Sequence, residues 1–196
     1  MTQVSLVPIL VWVAALACWG IAMWRAARPM TQAFAVDRAL RYLFIFPLGL
    51  AGLWAFVGHV FFSERAAAAI GWAPSPFQFE VGYANLGIGL ASLYAAYTGF
   101  YGRVAVAIAA SCFLIGAGIG HVMDISEHGN LAPGNAGPIL ITDFLTPMAI
   151  LALLLVAARR PRPKSPDTLA LEAELEVARR AMHSYQDALD KFVKET

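Results

Sequence analysis

The chain has 196 residues, 59% of them hydrophobic and only 14% charged, against roughly 25% charged in soluble domains. Its 14 basic and 13 acidic residues nearly balance, so there is no basic excess to suggest nucleic-acid binding. Its two cysteines, Cys18 and Cys112, lie in apolar runs; they offer no disulfide framework and read as buried small hydrophobes.

Runs long enough to cross a bilayer, about 17–25 residues, recur in chain order and predict an integral membrane protein, all-α, with five spans. The first is Val4–Trp24. It lacks a basic leader and runs into Arg25 and Arg28, a stop-transfer flank rather than a signal peptide. The second is Leu40–Phe62 and the third Phe79–Tyr101, entered through "SPFQ", where Ser75 reads as N-cap, Pro76 as first helical residue and Gln78 as the capping-box partner. The fourth is Val104–Met123. The fifth is Phe144–Ala158, started at Thr142 with Asp143 or Thr142 as cap. Pro47 and Pro147 are expected to bend their helices, and the glycines of "GAGIG" (116–120) with Gly82, Gly87 and Gly89 to allow close helix packing.

Lys and Arg set the expected orientation. Arg25, Arg28, Arg38, Arg41, Arg103, Arg159, Arg160, Arg162 and Lys164 fall on one side and Arg65 alone on the other. This places the N-terminus outside and the C-terminus in the cytoplasm of a bacterial-type inner membrane.

The polar residues segregate the opposite way. Of six acids before residue 165, all but Asp37 lie at the outer ends of spans two to five, with His59, His121 and His128. Glu80, one turn into its helix, is an expensive residue for a membrane interior unless paired. His121, Asp124 and His128 would share a helical face. With His59 and Glu80 they form a nitrogen–oxygen donor set suited to zinc, iron or manganese. "HVMDISEH" matches no metal signature, however, and structural pairing is the competing reading. Asn85, Asn130, Asn135 and Asp143 complete the ligand or acid–base candidates. "GNLAPGNAGP" lacks the lysine of a phosphate loop and reads as a compact turn over the bundle. The facing loop carries Trp72, Phe77 and Phe79, either as interfacial aromatics or as a lid over a quinone or lipid headgroup.

"PSPFQFEVGYANLGIG" (74–89), "GHVMDISEHGNLAPGNAG" (120–137) and Asp143 with Pro147 resemble an uncharacterised family of small bacterial multi-pass membrane proteins, through its PSPFQxE and APGNAG motifs. The resemblance spans residues 40–158, leaving the first span and the tail outside, and it implies a membrane fold but no activity.

After the basic "RRPRPK", Ser165 and Pro166 open a predicted cytoplasmic amphipathic helix over 165–194. Its residues Leu171, Leu175, Ala178, Met182, Tyr185, Leu189 and Phe192 repeat as a heptad seam suited to self-association. Three functional classes stay open. One is a membrane site at the outer end, metal-dependent or acting on a quinone-like or lipid substrate. The others are a small-molecule carrier and a non-catalytic accessory protein.

Overall fold

The computed structural model describes residues 6–159 and 166–195. Val4 at the start of the first run, the basic segment after Arg159 and the Ser165 cap lie outside the described residues. The chain forms two compact units, residues 1–159 and 160–196.

The first unit is a bundle of α1 (Val7–Arg25), α2 (Gln32–Leu43), a π-helical segment (Phe44–Leu50), α3 (Ala51–Phe61), α4 (Ser63–Ile70), α5 (Phe77–Ala95), α6 (Phe100–His128) and α7 (Pro138–Ala158). Among the described residues four helices are long and apolar enough to cross a membrane: α1, the continuous stretch Gln32–Phe61, α6 and α7. Large apolar side chains such as Leu10, Val13, Ile108 and Leu155 cover the outside, an arrangement for lipid rather than water. The protein is therefore an all-α, multi-span membrane protein.

The expected boundaries shift for local reasons. Thr31 caps α2 by accepting from the Phe34 N–H, so the second span begins well before Leu40 and carries Arg38 and Arg41 on its first turns. Pro47 does not break this helix. The π-helical turn around it widens the backbone where the proline lacks an N–H and its ring needs room. The expected third span begins at Phe77 and stops at Ala95. It carries Gln78, Glu80, Asn85 and Ser92, and it is not one of the four membrane-length apolar helices. Ser75 and Gln78 form no capping box: Pro76 is the N-cap, without a side-chain cap bond. The fourth span continues past Met123 to His128 and ends at Gly129, whose φ of 68° suits glycine. The fifth begins at Pro138, leaving Thr142 and Asp143 inside the helix rather than capping it. Cys18 is half-buried and Cys112 exposed, so neither is the buried hydrophobe expected; each faces outward from an apolar helix.

Packing divides the bundle lengthwise. At the end holding the arginines, Leu40, Leu43, Phe44, Ala107, Ile150 and Leu154 build a continuous core. Arg103 locks it. Its guanidinium donates to Ala95 O at 3.3 Å, Ala96 O at 3.0 Å and Asp37 Oδ1 at 2.8 Å, satisfying carbonyls at the C-terminus of α5 while pairing with α2. At the histidine end a cavity lies between α3 and α6. Trp12 Nε1 still ties α1 to α7 by donating to Thr146 Oγ1 at 3.1 Å.

The second unit is α8 (Pro166–Glu195). Leu171, Leu175, Met182, Tyr185 and Leu189 of its apolar seam are exposed, and Arg180 pairs with Glu176 at 3.2 Å one turn away.

The Arg103 lock yields the first expectation. Arg103→Met orphans two carbonyls and one carboxylate contact, so it should lower unfolding stability in detergent by on the order of 2–3 kcal/mol. Arg103→Lys should recover less than half of that, because an ammonium cannot reach three divergent acceptors; thermal unfolding of the purified variants checks both.

Candidate functional site

Between α3 and α6 at the histidine end lies a cavity of about 710 Å³. Its walls are mostly apolar and small: Ala51, Ala55 and Gly58 from α3, and Gly116, Ala117 and Gly120 from α6. The expectation that the glycines draw helices together holds for one set only. At Gly52 and Gly89 an added Cβ would strike the facing backbone at about 3 Å, and at Gly118 it would strike the Phe144 ring at 2.8 Å. At Gly58, Gly116 and Gly120 it would meet nothing within 4 Å. The first set packs helices; the second leaves the wall bare.

Polar groups enter this apolar space at a few places. His121 of α6 and Asp143 of α7 are buried at 7% and 4% exposure, with Nε2 and Oδ2 3.7 Å apart. Both line the cavity. Asn135, fully buried, determines the state of the imidazole. Its amide donates to Asn130 O at 2.8 Å and to His121 O at 3.4 Å, so Oδ1 is its acceptor. The 2.6 Å contact from that Oδ1 to His121 Nδ1 therefore requires a proton on Nδ1. Nε2 faces Asp143, and one proton between those two atoms leaves the pair neutral overall.

A second histidine reaches the cavity from α3. His59 Nδ1 hydrogen-bonds Gln78 Oε1 of α5, which turns the buried Gln78 into a positioning group. Asn85 donates to Val81 O at 2.9 Å, and Thr142 spends its hydroxyl proton on Pro138 O and Ile139 O at 3.2 and 3.0 Å.

Over the cavity, two glycine-ended helices hold two loops together. α4 closes with Gly71 at φ 84° and Trp72 N–H reaching back to Ala67 O at 2.9 Å. Asp124 then gathers the loops: its Oδ2 accepts from Trp72 Nε1 at 2.8 Å and Asn130 Nδ2 at 2.6 Å, and its Oδ1 from His128 at 2.9 Å. Asn130 also donates to Ile70 O at 2.9 Å, and Gly134 N–H to Ala69 O at 2.9 Å. The Trp72 indole stacks on the His121 ring with centroids 6.0 Å apart.

The five expected metal ligands are thus dispersed. His59 pairs with Gln78, His121 with Asn135 and Asp143, and His128 with Asp124. Glu80 is exposed in the first turn of α5, near the helix N-terminus that favours its charge, and faces no bundle interior. Among the described residues no three His, Cys, Asp or Glu side chains converge on a metal position. The shared helical face also fails as a site: Asp124 and His128 bond each other while His121, one turn earlier, turns to α7. Asn130 serves the loops, Asn135 orients His121, and Asn85 and Asp143 reach the cavity. By sequence Gln78 reads as a capping-box residue and Trp72 as an interfacial aromatic or part of a lid; their partners His59 and Asp124 lie across the fold.

Membrane-length helices with apolar exteriors and a buried His–Asp pair lining a cavity among them define a multi-span helical membrane protein. The chain belongs to DUF6790, a family of unknown function, whose sequence model matches residues 5–163. The match takes in the first span, beyond the 40–158 range of the motif resemblance. No curated protein and no solved structure matches the chain.

If Asp124 organises the loops, Asp124→Ala should raise hydrogen exchange across 71–76 and 129–137 by about tenfold or more, since it removes the acceptor that Trp72, Asn130 and His128 share. Exchange in the α7 core around Ile150 should be unaffected.

Proposed function

We propose that the bundle is a membrane-embedded binding site for an amphipathic small molecule, a quinone-like ring or a lipid headgroup. The head lies against His121 and Asp143, and the apolar body runs along α3 and α6. The observation that carries this reading is the buried His121–Asp143 pair opening onto the cavity. A polar pair inside a membrane protein gains little stability over an apolar replacement, and a binding role accounts for its place on the cavity wall. The volume also falls in the range of small-molecule sites, about 300–1,000 Å³.

In this reading α5 is the fifth crossing, tolerating Asn85 because it lines the cavity and Gln78 because it bonds His59, and the histidine end is the outer end of an inner-membrane bundle with a cytoplasmic α8. That helix associates with a second copy through its seam. The cavity reaches from His59 to Pro47 on its α3 side, about 18 Å at 1.5 Å per residue, and stops at the packed core around Phe44. A blind pocket fits a receptor or an acid–base site better than a two-sided carrier. His121 and Asp143 would give or take the shared proton at a ligand oxygen.

The test is native mass spectrometry and organic extraction of protein purified into lipid nanodiscs. The expected result is a co-purified amphiphile approaching one per chain, lost in Gly120→Leu, whose Cβ meets nothing within 4 Å and whose side chain takes up cavity space, while helicity and thermal midpoint are retained. Wild-type protein free of any amphiphile beyond bulk lipid, with Gly120→Leu only gaining stability, would contradict the reading.

A further inference from the structure

Apart from Arg65 and the Trp54 indole, the polar side chains that line the cavity have most of their donors engaged elsewhere. His121 Nδ1 is held as a donor by Asn135 Oδ1, and His59 Nδ1 is bonded to Gln78 Oε1. In a neutral His59 the remaining Nε2 is then a bare lone pair. Asn85 has turned its amide back onto Val81 O, leaving Oδ1 without that bond, and Thr142 has spent its only proton on its own helix. The lining at this end is therefore rich in acceptors.

The His121–Asp143 gap adds a geometric condition. At 3.7 Å the two atoms are beyond a direct hydrogen bond, yet one oxygen can lie about 2.8 Å from both. With one proton between Nε2 and Oδ2, that oxygen must donate to one atom and accept from the other. A hydroxyl does both; a carbonyl or ether oxygen only accepts and strands a buried lone pair. A pair that shares one proton carries no net charge, and Arg65 also lines the cavity, so such a site holds no unbalanced negative charge to invite a cation.

From this arrangement, and resting on the reading of the cavity as a ligand site, we infer that the occupant is a neutral amphiphile carrying a hydroxyl, such as a phenol, hydroquinone or alcohol on an apolar body. The site discriminates against the corresponding ether, carbonyl compound or ammonium. Gln78 is a positioning residue: by fixing His59 Nδ1–H it makes that wall an acceptor.

The experiment titrates nanodisc-embedded protein with 4-decylphenol, its methyl ether and decyltrimethylammonium. It follows tryptophan fluorescence, which Trp54 and Trp72 in the lining should report, and subtracts partitioning into empty nanodiscs. Binding sensitive to Gly120→Leu, with the phenol at least about tenfold tighter than the ether, is expected. Gln78→Leu, close in volume and free to let His59 take the other tautomer, should narrow that ratio. Equal affinity for phenol and ether, or a preference for the ammonium, with Gly120→Leu still blocking, would overturn the donor requirement and leave the ligand site standing. Failure of all three probes to bind in a Gly120-sensitive way would overturn the inference together with the site it rests on.

Discussion

A histidine and an aspartate facing each other within an apolar bundle impose a constraint that the rest of the histidine end meets. Buried charge is costly unless paired, and a buried pair left partly unsatisfied is worse than none. The pair His121–Asp143 is held on three sides. α7 brings the carboxylate five residues inside its start at Pro138. Asn135 takes the far nitrogen of the ring. Trp72 covers its face. Asn135 keeps its orientation through the Asn130 backbone, and the Asn130 side chain is fixed by Asp124 and Ile70 O. The loop 129–137 is thus ordered by the same network that sets the proton on His121.

The two halves of the bundle solve different problems. Around Phe44, Ile150 and Ala107 the helices pack to a closed core, and Arg103 draws α2, α5 and α6 together with donors aimed at three acceptors. Beyond Pro47 alanines and glycines of α3 and α6 face each other across a cavity that larger apolar side chains such as Trp54 and Phe113 also line. The π-helical turn stands at the junction. It lets one continuous helix serve a packed half and a hollow half, an arrangement in which such segments often border functional sites.

Much of this was legible in the sequence. Hydropathy alone found the apolar helices α1, α6 and α7, although α6 runs five residues past Met123 and α7 starts six before Phe144. Boundaries failed where turn chemistry was local and ambiguous. "SPFQ" satisfies a capping box on paper, yet Gln78 has a better partner in His59. Asp143 looks like a cap until Gly137 and Pro138 start the helix a turn earlier. The ligand grouping failed because shared helical phase says which residues can meet, not which will. Asp124 and His121 are one turn apart, but two loops and His128 of its own helix offer Asp124 three donors while α7 offers His121 a carboxylate. Contacts such as His59–Gln78 and Trp72–Asp124 join residues 19 and 52 positions apart, which no local pattern encodes. Glu80, the most suspicious residue by composition, is an exposed first-turn acid.

The proton on His121 is the most direct test. Solid-state NMR of ¹⁵N-histidine protein in bilayers, with His121 assigned by subtraction of a His121→Gln spectrum, reads which ring nitrogen is protonated. The account predicts a protonated Nδ1 that persists whether Nε2 is bare or protonated, and that loses its fixed state in Asn135→Leu. An unprotonated Nδ1 with the proton on Nε2 in the wild type would contradict it, because Asn135 would then not orient the ring and the acceptor-lined site would not exist as described.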